Sequence, residues 1–164
     1  MKMSSLPPAE QAALLRELAA MPMFLTVNLL GLTPAEACEP GPAESFAPVE
    51  QVWHLADLER EGFAERIRRL LDEVEPALPD FDGPKVALER NYKQLVLVAG
   101  LDAFRVARRA NLETIRRIEA AQWSRCGIQE GVGRVALRDI PAMMAAHDAE
   151  HRHEIEAWFK ARRT

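Results

Sequence analysis

Cysteine is scarce in this chain, with two in 164 residues, Cys38 and Cys126. They stand far apart and spell neither a C-x-x-C pair nor a zinc ribbon. A reduced, cytoplasmic protein with free thiols is the expectation. A surplus of positive charge is missing too. Lys and Arg number 21 against 25 Asp and Glu, a net charge of −4. The global basic footprint of a nucleic-acid binder is therefore absent. The opening residues lack the basic-then-apolar layout of a secretory leader. No apolar run approaches the roughly 18 residues that cross a bilayer; the best stretch, residues 21–30, is interrupted by Pro22, Thr26 and Asn28. Repeats and low-complexity tracts are also lacking. These absences predict a soluble protein with neither nucleic acid nor membrane as partner.

What is present is a normal apolar share of 48 %, with 28 % charged residues of both signs interspersed, enough for one domain over residues 1–164. Apolar residues recur at three- and four-residue spacing in four stretches, which predicts helices over about 8–30, 48–73, 85–121 and from Asp139 to the end. Pro22 is expected to kink or split the first. Thr33-Pro34 with Glu36 reads as the cap of a short turn, inside a Pro- and Gly-punctuated loop that ends near Pro48. Residues 95–98 also admit a short strand, but length and period favour helix. Gly127, Gly131 and Gly133 mark a turn-rich connection. The arginine clusters Arg66, Arg68, Arg69 and Arg105, Arg108, Arg109 read as solvated helix faces. Four amphipathic helices with almost no strand signal predict an all-α four-helix bundle.

Three of the four histidines lie in His147-Asp-Ala-Glu-His151-Arg-His153. Residues four apart on an α-helix stack one turn above each other, so His147 and His151 leave from one face. His153 points the other way, toward solvent. That pair alone is a weak signal. His54 strengthens it, because it falls within the apolar stripe of the second helix, in Trp53-His54-Leu55-Ala56-Asp57. Inward histidines on two helices predict one divalent metal ion on His54, His147 and His151, the way bundles build metal sites. Three imidazoles suit zinc or nickel, with iron or manganese as further options, and leave positions open. Asp57, three residues after His54, either holds an imidazole in its tautomer or is a plain helix-surface acid. Glu150 sits in the acid position of an inverted metalloprotease signature, His-x-x-Glu-His. Too little chain follows for a further acidic ligand, so a protease is rejected, and Glu150 stays as a second candidate beside the ion, facing a neighbouring helix or water.

The order of features resembles the DinB-like superfamily of DNA-damage-inducible and thiol-transferase proteins, also called the YfiT-like metal-dependent hydrolases. The resemblance rests on residues 53–59 around His54, Phe104-Arg105 on a helix, Trp123-Ser-Arg-Cys-Gly127, residues 133–137, Asp139-Ile140-Pro141 and His147-Asp148-Ala-Glu150-His151. It covers the chain from about residue 31 onward. It implies a four-helix bundle with long crossover connections, metal ligation by His54, His147 and His151, and homodimers. It also implies a small-molecule substrate handled with a low-molecular-weight thiol, or hydrolysed. Arg105 resembles a recurrent helix-three arginine, read as a structural salt bridge or as a partner for a substrate carboxylate. Trp53 and Trp123 read as core or as the site mouth.

Three functional readings follow. The first is a metal-dependent transferase or hydrolase. The second is a non-catalytic stress-response protein whose ion ties two helices. The third has no metal, only buried neutral histidines bonded to one another.

Overall fold

In the computed structural model, which describes residues 6–163, the four expected helical stretches form a bundle. The absence of a leader was read on residues that include 1–5, and those lie outside the described residues. Helix α1 spans Pro8–Leu29 and α2 is the short turn Pro34–Ala37. The second long stretch is α3, Pro48–Asp57, continuing through a π-helical turn, Leu58–Phe63, into α4, Ala64–Asp72. Helix α5 covers Gly83–Glu89, α6 Leu97–Arg116 and α7 Ile140–Arg162. The main helix packing sets α1 against α6 and α7, and α3 against α6 and α7. Of the long helices consecutive in sequence, α3 and α6 pack together, whereas α1 and α3, and α6 and α7, do not make main contacts, so those two connections are crossovers.

Proline starts several of these elements, at Pro8, Pro34 and Pro48, where a missing N–H costs nothing. Thr33 and Glu36 cap α2 reciprocally, at 3.3 Å and 2.8 Å. Pro22 does not split α1. It cannot bond the Leu18 carbonyl, and that oxygen instead accepts from Arg108 Nη1 at 2.9 Å. By length and composition α1 is long and apolar enough to cross a membrane, contrary to the expectation from its interrupted apolar run. Its Leu14, Leu18, Met21, Leu25 and Leu29 are buried in the bundle core.

The expected third helix is broken. Asn91 takes a left-handed conformation (φ 49°), a 3₁₀ turn follows at Tyr92–Gln94, and α6 begins only at Leu97. Asn tolerates this conformation better than most residues, and the break turns Tyr92 inward, fully buried. Residues 95–98 are not a strand: Leu97 points in, and Val98 is exposed. The turn-rich connection is a hairpin, β2 Cys126–Gln129 antiparallel to β3 Gly133–Ala136, with β1 Ala77–Leu78 parallel to β2. Gly131 and Gly133 supply its positive φ angles, 74° and 98°.

Candidate metal centre

His54 leaves α3 four residues before the π-helical turn, and His147 and His151 leave α7 from one face, their ring centroids 4.4 Å apart. The three rings meet. His147 Nε2 lies 3.1 Å from His54 Nε2 and 3.1 Å from His151 Nε2. All three donor nitrogens fall within 4.8 Å of one another. His54 and His151 are 7 % and 6 % exposed, and His147 is half-buried, so the trio reaches solvent mainly on the His147 side. Phe46 and Phe81 flank His54, at 5.5 Å and 5.8 Å, and Phe63 stands 6.3 Å from His147. Gly83 is required here, since a Cβ would lie 2.5 Å from His54 Cε1.

Burial lowers the basicity of every ring, because the imidazolium loses its hydration. His54 is pushed down to about 4, against a weak opposing pull from Asp57. His147 is pushed down to about 3, first by burial and then by His54, Arg108 and Arg66. His151 is lowered by burial and by its two neighbours. All three are neutral at pH 7.

Gln51, on α3, sets the tautomer of His151. Its Nε2 donates to Glu154 Oε2 at 2.5 Å, so its Oε1 faces His151 Nδ1 and accepts that proton. His151 Nε2 is thereby left as a lone pair. If His147 Nε2 carries a proton it faces two acceptors or a second N–H, and if it carries none it faces the His151 lone pair, so neutral rings satisfy at most one of the two contacts fully. A tetrahedral ion with bonds of about 2.0–2.1 Å would hold its donors about 3.3 Å apart. The donor set and its spacing thus fit a divalent cation. His54 Nδ1 has no hydrogen-bond partner.

The two remaining candidates are corrected. Asp57 does not hold an imidazole. Its Oδ2 accepts from Tyr92 Oη at 2.6 Å and from Arg90 Nη1 at 2.6 Å, and Arg60 pairs with Oδ1. Burial pushes its carboxyl up, but these donors outweigh that and hold it below the usual carboxylate range. Glu150 is exposed, one position too far around α7 to meet the trio. His153 is exposed, as expected. Arg105 pairs with Asp102 on the surface at 2.6 Å. Trp53 donates to the Val96 carbonyl at 3.1 Å, and Trp123 packs on the core.

A buried ionic cluster beside the trio went unread in the sequence. Arg108, 1 % exposed, pairs with Glu59 at 2.8 Å and Asp148 at 2.6 Å. Asn111 donates to the Glu59 carbonyl at 2.9 Å and to its carboxylate at 3.0 Å. The π-helical turn carries Glu59 inward, and such turns concentrate at functional sites.

Fold and side chains together define a crossed four-helix bundle that gathers three histidines between its second and last long helices. The chain belongs to the DinB superfamily, whose model matches residues 17–155. Among solved structures it is similar to YfiT from Bacillus subtilis, described as a probable metal-dependent hydrolase with an unusual four-helix bundle topology. The two share 17 % identity and a TM-score of 0.82, over 97 % of this chain and 89 % of that one. It is also similar to a mycothiol-dependent maleylpyruvate isomerase, at 14 % identity and a TM-score of 0.74, over 96 % of this chain and 64 % of the other. No curated protein matches.

Proposed function

We propose that this chain is a divalent-metal-dependent enzyme, its ion held by His54, His147 and His151, acting on a small-molecule substrate by low-molecular-weight-thiol transfer or by hydrolysis. The observation that carries the proposal is the set of three converging Nε2 atoms that hydrogen bonds among neutral rings cannot fully satisfy. The likeness to YfiT, a probable metal-dependent hydrolase, and to the mycothiol-dependent isomerase supports the same class. Zinc or nickel suits the donors best.

A divalent ion with open positions lowers the pKa of a thiol or water enough to give the anion at neutral pH. The chain's own groups prepare that chemistry. Burial keeps the three imidazoles neutral and therefore able to donate. Gln51 holds the proton on His151 Nδ1, which aims Nε2 at the common point. Phe46, Phe63 and Phe81 keep bulk water from the rings and leave the approach at His147. The depth of His54 and His151 supports a second reading, a structural ion joining α3 to α7 without catalysis.

Protein purified without a polyhistidine tag should carry one divalent ion per chain by elemental mass spectrometry; a chain that binds none under saturating zinc or nickel would sink both readings. Cobalt-substituted protein separates them. Visible bands that shift on adding a small thiol mark open positions and an enzyme, and bands that stay fixed mark a structural ion. The tautomer-setting bond gives a further expected result. Gln51→Ala frees the His151 ring and should weaken the ion by about 10–100-fold, as losing a partner of a ligand histidine does. Competition with a chromophoric chelator measures it, and an unchanged affinity would remove Gln51 from the site.

A further inference from the structure

We propose that Arg66 is the subsite for a carboxylate of the small-molecule substrate, gripping that group while the reactive atom sits at the histidine trio; this rests on the metal-centre reading above. Two arginines of the chain are buried, Arg66 at 4 % exposure and Arg108 at 1 %. Arg108 is matched by two carboxylates. Among the described residues Arg66 forms no direct ion pair, and Asp80 acts on its charge only through a longer-range attraction. Its Nε donates to the Pro79 carbonyl at 3.0 Å, and its Nη edge finds no protein acceptor among them. Burial costs an arginine its hydration, and one held without a direct ion pair keeps donors free for an incoming anion.

The position suits that role. The guanidinium carbon of Arg66 lies 5.4 Å from the centroid of the Phe63 ring, and His147 stands 6.3 Å from the same ring. Arg66 and His147 thus neighbour the same ring, and His147 is the member of the trio most open to solvent. The Arg66 charge is near enough to help depress His147 ionisation. One segment of chain touches both Arg66 and the trio: Pro79 takes the Arg66 bond, while Phe81 and Gly83 pack on His54. With Nε engaged, the two Nη groups present a fork that matches a planar carboxylate. The carboxylate contact that the family resemblance offers to Arg105 falls to Arg66 instead, since Arg105 is exposed and paired with Asp102. The substrate class is thus a small molecule bearing a carboxylate a few bonds from its reacting sulfur or carbonyl.

The test compares 3-mercaptopropionate with 3-mercaptopropionamide by calorimetric titration of zinc-loaded protein, with the zinc content of every sample measured separately. Wild type should bind the carboxylate about tenfold tighter than the amide, a typical charge-assisted hydrogen-bond effect. Arg66→Gln should bring that ratio near one with zinc content unchanged, and Arg66→Lys should keep part of it. A ratio that survives in Arg66→Gln, or that is near one in wild type, overturns the proposal while the metal centre stands. Should Arg66→Gln fail to fold, an Arg66→Lys ratio equal to wild type overturns it instead. Should the chain take no metal, the same comparison on metal-free protein decides: an Arg66-dependent preference keeps the subsite and drops the metal centre, and none drops both.

Discussion

His54→Ala should remove most of the stabilisation that a divalent ion confers while costing the metal-free protein much less. In the proposed site the other donors, His147 and His151, both come from α7, so His54 is what makes it span two helices. Losing a ligand outright should cost more than losing a ligand's partner, so affinity should fall by at least about 100-fold. At a free-ion concentration about 1,000 times the wild-type Kd, wild type gains about 4 kcal/mol, and a 100-fold loss of affinity removes about 2.7 kcal/mol of that. The metal-free comparison runs differently. His54 Nδ1 is buried without a partner, so deleting the ring removes an unsatisfied polar group as well as packing. These two effects oppose each other, about 1–3 kcal/mol gained by removing the polar group against about 2–5 kcal/mol of lost packing. Urea unfolding with and without saturating zinc checks both halves. A variant that loses the same stability in both conditions would mean that His54 is a packing residue, and the metal centre would lose its link to α3.

The fold was legible because apolar periodicity survives in all four long stretches, and the proline starts marked helix boundaries. The break between α5 and α6 was not. Nothing in the residues around Asn91 stops a helical period; the break is imposed by Tyr92 and Arg90 reaching across to the buried Asp57. The π-helical turn was equally silent, since an extra residue in a helix leaves the average period almost unchanged over so short a run. The hairpin did leave a signal. Gly131 and Gly133 between two short β-capable runs fit a hairpin loop, yet four-residue strands are too brief to show alternation against a helical background.

The histidine trio was readable because two of its members share one helix face and the third interrupts an apolar stripe. Its surroundings were not, for a common reason: the residues that matter look like surface. Gln51, Arg66, Arg108 and Glu59 are polar or charged, and in sequence such residues read as solvated faces. Arg108 and Asn111 in fact occupy the same inward stripe of α6 as Leu101, Phe104, Leu112 and Ile115. Their spacing was correct for the core, but their polarity hid it. Asp57 failed the other way. Three residues from a histidine suggests a partner, but which way its carboxylate turns depends on Tyr92, Arg60 and Arg90, two of them more than thirty residues on.

Arg108→Met should be the most destabilising single substitution in the chain. The guanidinium joins four stretches: it donates to Glu59 in the π-helical turn, to Asp148 on α7 and to the Leu18 carbonyl that Pro22 leaves open on α1, all from α6. It also lies over the Phe104 ring, at 4.8 Å. Burial raises the Glu59 pKa, and the attraction of Arg108 counters that rise. Removing the cation leaves two carboxylates enclosed without a counter-charge, and breaking a buried pair this way costs about 3–5 kcal/mol. The loss should depend on pH with a definite sign. Without Arg108 the Glu59 carboxyl keeps the rise that burial gives it, its folded-state pKa lying above the unfolded one, so the deficit is full at neutral pH and shrinks as acidification protonates it. Replacing Glu59 and Asp148 along with Arg108 by apolar residues of similar volume should recover most of the stability, because no charge is then left enclosed. Urea midpoints for the single and triple variants at pH 7 and pH 5 test this. A single variant as stable as wild type at pH 7 would show that water or rearrangement already solvates the cluster. His147 neighbours Asp148 on α7, so the same loss of anchoring should loosen the histidine trio and tie the stability of the bundle's centre to the geometry of its metal centre.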